Sequence, residues 1–189
     1  MKVFRLIHFL LLVLVASQSP VYAVEFNQLL ADKSTLTFNY TQMGVPMEGS
    51  FTLFNAAVLF DPGNLARSRA TIKVDSASID TGSDEVNDEV VGKLWFDSKT
   101  YPVAQFVSTG VRPLGSNRYE VGGNLTIKGR TRAVKAPFTF TPQGGYAVLD
   151  GAFTLNRLDF AIGDGAWRDV SAVANEIKIK FHFVLAVKK

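Results

Sequence analysis

Residues 119–140 read YEVGGNLTIKGRTRAVKAPFTF. Tyr119, Val121, Leu125 and Ile127 fall on one parity, and Glu120, Asn124, Thr126 and Lys128 on the other. That is the period of a strand with one wet face. Gly129 is free to take a positive φ, and beyond it Val134, Phe138 and Phe140 again share a face. The stretch predicts a long hairpin turning at Lys128-Gly129, with one apolar face that must be buried.

The same design recurs on both sides. Upstream, residues 103–111 place Ala104 and Phe106 on one parity, and Gly115-Ser116-Asn117 turns that strand onto the hairpin. Downstream, Gln143-Gly144-Gly145 is the next turn, and residues 146–155 align Ala147, Leu149, Phe153 and Leu155. The last strand, residues 176–187, points Ile177, Ile179, Phe181, Phe183, Leu185 and Val187 one way and Glu176, Lys178, Lys180 and His182 the other. Nearer the start, residues 34–43 align Leu36, Phe38 and Tyr40. Residues 47–60 align Gly49, Phe51 and Leu53, then lose strict alternation at Ala56-Ala57, where a bend or bulge fits. Asp61-Pro62-Gly63-Asn64 is a turn, and residues 69–75 alternate through Ala70, Ile72 and Val74.

About eight strands joined by hairpin turns predict an all-β antiparallel sandwich or closed barrel, and about eight is where a barrel either fills itself or holds one small ligand. One helix is expected over residues 83–97: Ser83 caps it, Asp84 and Glu85 suit its first turn, and Val86, Val90 and Leu94 recur at helical spacing. It would lie across a barrel opening or along the wall, with Trp95 and Phe96 adding bulk at its end.

Lys2 and Arg5 precede an apolar run at residues 6–16, and Val21-Tyr22-Ala23 is a small-residue cleavage site. Residues 1–23 read as a secretory signal peptide cleaved after Ala23, leaving one domain over 24–189. Ser17, Gln18, Ser19 and Pro20 cut the run short of the roughly 18 apolar residues a membrane span needs. With no cysteine, stability must come from the core. Without Lys2 and Arg5 the 20 Lys and Arg become 18, against 17 Asp and Glu, which gives a nucleic-acid partner no electrostatic footprint.

Catalytic chemistry has little to stand on. Beyond the leader only His182 remains, on the charged parity of its strand. Asp84, Glu85, Asp88 and Glu89 have spacing that would present carboxylate pairs to a metal, but a solvated helix start is favoured. Gly163-Asp164-Gly165 lacks the flanks of a phosphate loop. In residues 157–169, RLDFAIGDGAWRD, Arg157, Asp159, Trp167, Arg168 and Asp169 set both charges beside large apolar groups. The favoured reading is an Arg–Asp clamp locking the last crossover to the barrel, the other a contact to a ligand head. Lys128, Arg130, Arg132 and Lys135 crowd the hairpin turn, either as a solvated rim or as a rest for a pyrophosphate.

Asp32-Lys33-Ser34 leading to Phe38, Gly49-Ser50-Phe51, Asp61-Pro62, Ser78-Ile79-Asp80-Thr81-Gly82, Tyr101-Pro102 with Phe106, LTIKGRTR at residues 125–132 and the 157–169 excursion together resemble the YceI-like polyisoprenoid-binding proteins. The resemblance spans nearly the whole chain after the leader, in order. It implies an exported, periplasmic, lipocalin-like barrel with one short helix, binding a long isoprenoid lipid in its lumen; no cofactor is expected, and an enzyme reading, lacking a catalytic constellation, would return only with turnover that Arg157→Ala or Asp159→Ala abolishes. Association of some relatives with cytochrome b561-type membrane proteins makes an isoprenoid quinone a plausible ligand. Where many relatives carry histidines, this chain has Lys33 and, around the end of the first strand, Gln42, so head-group recognition is expected to differ.

Alternation and resemblance together nominate as lumen-lining Phe38, Tyr40, Phe51, Leu53, Phe106, Tyr119, Val121, Phe138, Phe153, Phe160, Trp167, Phe181 and Phe183. Lys128, Arg130, Arg132 and Arg157, with Trp167, are the head-group candidates. The alternative is a solid barrel in which these side chains are plain core and a surface patch docks to a membrane partner.

Overall fold

Alternation decides the backbone over residues 26–187, the part described by the computed structural model; the expected signal peptide, 1–23, lies outside these residues. The strands are β1 (Phe26–Leu29), β2 (Thr35–Gln42), β3 (Val45–Phe51), β4 (Phe54–Leu59), β5 (Arg69–Asp75), β6 (Ile79–Asp80), β7 (Val103–Gly115), β8 (Arg118–Ile127), β9 (Arg130–Gln143), β10 (Tyr146–Asn156) and β11 (Glu176–Val187). Among the described residues there is one α-helix, α1 (Asp84–Val90). The β8–β9 turn is the expected one. Lys128 and Gly129 take φ of 48° and 70°, the two-residue geometry whose twist matches the strands it joins.

All ladders are antiparallel, in the order β4-β5-β7-β8-β9-β10-β11-β2-β3-β6, with β1 also on β11. The two ends of this path are halves of the same chain runs. β3 continues into β4 after Thr52-Leu53, and β5 reaches β6 through a 3-10 turn at Ser76–Ser78. Across the gap Thr52 N–H donates to the Ser78 carbonyl and Asp75 N–H to the Leu53 carbonyl, each at 3.0 Å. Counting β1/β2, β3/β4 and β5/β6 as single interrupted runs, the wall is a ring of eight. The bend expected at Ala56-Ala57 lies instead at Thr52-Leu53. The two-residue break changes which parity faces inward, so Ala56 and Val58 are buried while Leu53 is 61% exposed.

Two further boundaries differ from expectation. What read as a short lead contains β1, whose Phe26 is buried and bridges Phe60. The helix is shorter than 83–97. Ser83 Oγ does accept from Val86 N–H, but beyond Val90 the chain doubles back: Trp95 and Asp97 N–H bond the Gly92 carbonyl, and Asp97 has φ of 49°. Leu94 is thereby exposed and Trp95 buried.

The interior separates into two apolar clusters. One packs Phe26, Phe60, Phe138, Phe140, Leu149, Phe183 and Leu185. The other gathers Phe38, Val90, Trp95, Leu125, Ile127, Phe160 and Ile162, with Tyr40, Phe51, Phe106, Trp167, Ile177 and Ile179 only half-buried against it. Helix α1 belongs to the second.

Candidate functional site

The half-burial has a cause: the inward face at that end surrounds empty space. A cavity of about 780 Å³ runs down the lumen, within the roughly 300–1,000 Å³ of small-molecule sites. Its wall is almost wholly apolar. Phe38, Tyr40, Phe51, Phe106, Val121, Phe138, Phe153, Trp167, Phe181 and Phe183 border it as expected. Three of these rings lie against glycines on the neighbouring strand, Phe38 against Gly49 among them. A Cβ at Gly123 would collide with the Phe106 ring and one at Gly151 with the Phe181 ring, so the missing side chains let both rings lie along the wall rather than across the lumen.

Three nominated residues do not border the cavity. Leu53 falls in the parity break and faces outward. Tyr119 stacks on Phe138, with centroids 5.6 Å apart, and meets the Phe60 edge at 5.1 Å, so it is consumed in the solid cluster. Phe160, 1% exposed, sits in a 3-10 turn (Arg157–Phe160) that leaves strand alternation, and it packs as core. In turn, sequence reasoning passed over Phe60, Trp95, Val134, Ile177 and Ile179 as lining residues. Inward parity was visible for Ile177 and Ile179; Trp95 is placed only by the turn after α1.

Polar lining residues mark the mouth. Gln42, Thr81, Glu85, Asp88 and Glu89 border the cavity where α1 lies, and the three acids are exposed. Trp167, in a 3-10 turn (Gly165–Arg168), donates its indole N–H to Glu89 Oε1 at 2.9 Å, joining the last crossover to the helix. Its ring lies 5.2 Å from that of Trp95. Trp95 Nε1 is buried with no acceptor among the described residues. Burial raises the Tyr40 phenol above its ordinary value, so it stays a neutral donor. Among the described residues no group of three His, Cys, Asp or Glu side chains is arranged to hold a metal ion.

The expected cations are otherwise engaged. Arg157 borders the cavity but is 1% exposed. It donates to the carbonyls of Ala174 (3.1 Å), Ile162 (2.9 Å), Gly163 (3.0 Å), Trp167 (2.6 Å) and Val173 (2.8 Å). Its guanidinium also lies 5.5 Å from the Trp95 ring centroid. It is the clamp on the last crossover, but it grips backbone rather than an aspartate. Asp159 is exposed, Asp169 accepts from Ser171, and Arg168 pairs with Asp164 at 3.1 Å. Burial, then repulsion from Arg168, lowers the Arg157 pKa from its ordinary value, and a guanidinium remains charged regardless.

Lys128 Nζ donates to the carbonyls of Lys93 and Ala161, both at 2.9 Å, tying the hairpin tip to the turns over the barrel end. Burial lowers its pKa. Arg130 and Arg132 are exposed; they sit opposite Ile127 and Leu125 in the ladder, and their long side chains carry the charge out to solvent. None of the three borders the cavity. His182 lies on the outer face, its Nδ1 2.6 Å from Asp150 Oδ1 across the ladder.

The family model of the YceI-like domain matches residues 28–185. A UPF0312 protein of Pseudomonas savastanoi pv. phaseolicola is 33% identical over 122 residues, 61% of this chain and 64% of that protein, so the chain spans just under two thirds of the length of such relatives. BcnA of Burkholderia cenocepacia superposes with a TM-score of 0.81 at 44% identity, over 83% of this chain and 99% of that one. A polyisoprenoid binding domain from Saccharophagus degradans, implicated in plant cell wall breakdown, superposes with a TM-score of 0.66 at 14% identity, over 88% of this chain and 99% of that one, a likeness of fold.

Proposed function

The chain belongs to the YceI-like family, and from that premise we propose that it is an exported, periplasmic binding protein that holds a long isoprenoid lipid, a polyprenyl chain or an isoprenoid quinone, in its barrel lumen for transport, storage or sequestration. The observation that carries this reading is the apolar cavity of about 780 Å³ lined in part by α1. The polyisoprenoid binding domain of the same fold supports the ligand class. Each buried methylene-sized group of a prenyl tail gains about 0.8 kcal/mol, offset by the costs of ordering and desolvation. Tail burial alone is enough to retain a long lipid, and no catalytic step is needed.

The hollow lumen favours this reading over the alternative, a solid-barrel module docking to a membrane partner such as a cytochrome b561-type protein. Export with cleavage after Ala23 is part of the proposal and is checked by N-terminal sequencing of protein from the exported fraction. Native mass spectrometry with organic extraction of the same material tests the ligand. A bound mass in isoprene increments is expected. Ligand-free protein that also ignores added isoprenoids would overturn the lipid reading.

A further inference from the structure

Taking the lumen as an isoprenoid site, we infer that it selects lipids whose polar end is uncharged and bears a hydrogen-bond acceptor, such as a carbonyl or hydroxyl oxygen, and discriminates against the phosphorylated form of the same tail. The polar groups of the wall differ in which of them are already occupied. Two cations border the cavity. Arg157 spends its donors on five backbone carbonyls and is 1% exposed, leaving nothing for a phosphate. Arg69 stands opposite Leu59, at the end of the β5/β6 run remote from α1, and its Nη1 donates to the Arg67 carbonyl at 3.3 Å.

At the mouth the charge has the opposite sign. Glu85, Asp88 and Glu89 border the cavity, and none of them has a cationic partner among the described residues. A phosphate seated there would meet carboxylates with no compensating cation. Neutral hydrogen-bonding groups, by contrast, are free. Trp95 is 7% exposed with Nε1 lacking an acceptor, and neither the Tyr40 hydroxyl nor the Gln42 side-chain amide is bonded within the described chain. An oxygen on an uncharged head supplies what these groups lack. A dianionic head at the α1 end needs cationic donors that Arg157 has already spent on the backbone.

The chain's two tryptophans, Trp95 and Trp167, both border the cavity, so intrinsic fluorescence reads its occupancy. Four probes sharing a similar tail separate the possibilities: a prenylated benzoquinone, the prenyl alcohol, the prenyl pyrophosphate and the plain isoprenoid hydrocarbon. Quinone and alcohol should bind at least about ten-fold tighter than pyrophosphate, with the gap widest at low salt. The triple variant Glu85→Gln/Asp88→Asn/Glu89→Gln should narrow the gap by improving pyrophosphate binding. Trp95→Phe, followed by native mass spectrometry, should weaken the quinone and not the hydrocarbon. Pyrophosphate binding as tightly as quinone, or losing its affinity in Arg69→Gln, would overturn the head-group inference while the lipid reading stands. If none of the four binds, hydrocarbon included, the lipid reading falls and this inference with it.

Discussion

On β11, Ile177, Ile179 and Phe181 point the same way as Phe183 and Leu185, yet the first three are half-buried and the last two are 3% and 0% exposed. One strand, one face and one alternating pattern serve two different interiors. Toward the Leu185 end the cavity gives way to packed rings: Phe60, which still borders it, lies 4.9 Å from Phe140 and 5.6 Å from Phe138, and Phe26 lies 5.5 Å from Phe140. At the Ile177 end the rings lie flat and α1 bridges the top. Alternation states which way a side chain points; what meets it there depends on the partners from four or five other strands.

The sharpest way to break this contrast is to release what holds the hollow end in shape. Arg157→Ala leaves five carbonyls without their donor and should cost about 5 kcal/mol, seen as a large fall in Tm; Arg157→Lys should recover only part of it, because an ammonium cannot reach the same fork of acceptors. Next come the two ends compared directly. Phe140→Ala, in the solid cluster at 5% exposure and off the cavity wall, should lose about 3–5 kcal/mol in urea denaturation. Phe181→Ala, whose ring borders open space, should lose under about 2 kcal/mol. Equal losses would mean the lumen is not hollow.

Gly151→Ala tests the flattened rings. Its new methyl drives Phe181 off the wall, costing about 1–3 kcal/mol and obstructing lipid, so stability and lipid capture should fall together. The smallest effect belongs to the outer face. Lys180, by its hydrogen bond, and then Asn39 hold the exposed Glu48 carboxylate below its ordinary pKa. A lowered folded-state value means that the contribution is present above the unfolded pKa and fades as pH falls through the folded one. Glu48→Gln should flatten that acid limb slightly and leave lipid binding untouched.

The closed ring was legible because inward positions recur strand after strand, and the Lys128-Gly129 turn because its chemistry is local. The parity break at Thr52-Leu53 was not, since it is set by backbone bonds to Ser78 and Asp75, and it carried Leu53 to the wrong side. Most of the lining could be read from alternation. Phe160 and Trp95 could not, because each is placed by a turn rather than a strand. The mixture of charges around Arg157 suggested an ion pair; in a cramped crossover the backbone supplies the acceptors instead, at distances no sequence pattern encodes. The acids of α1 read as a solvated helix start, which they are, while the fold also sets them at the rim of the cavity.

The ladder between β2 and β11 has one more consequence. Most other ladders join strands that are neighbours along the chain, but this one unites segments so remote that Val184 N–H meets Ser34 Oγ across 150 residues. Such a contact is entropically slow to find, so hairpins such as β8–β9 should form early and the ring should shut last. Until it shuts there is no lumen. A lipid that binds only the closed ring therefore acts on the kinetics of the final step as a latch, slowing reopening, and unfolding rates measured with and without lipid should differ far more than refolding rates do.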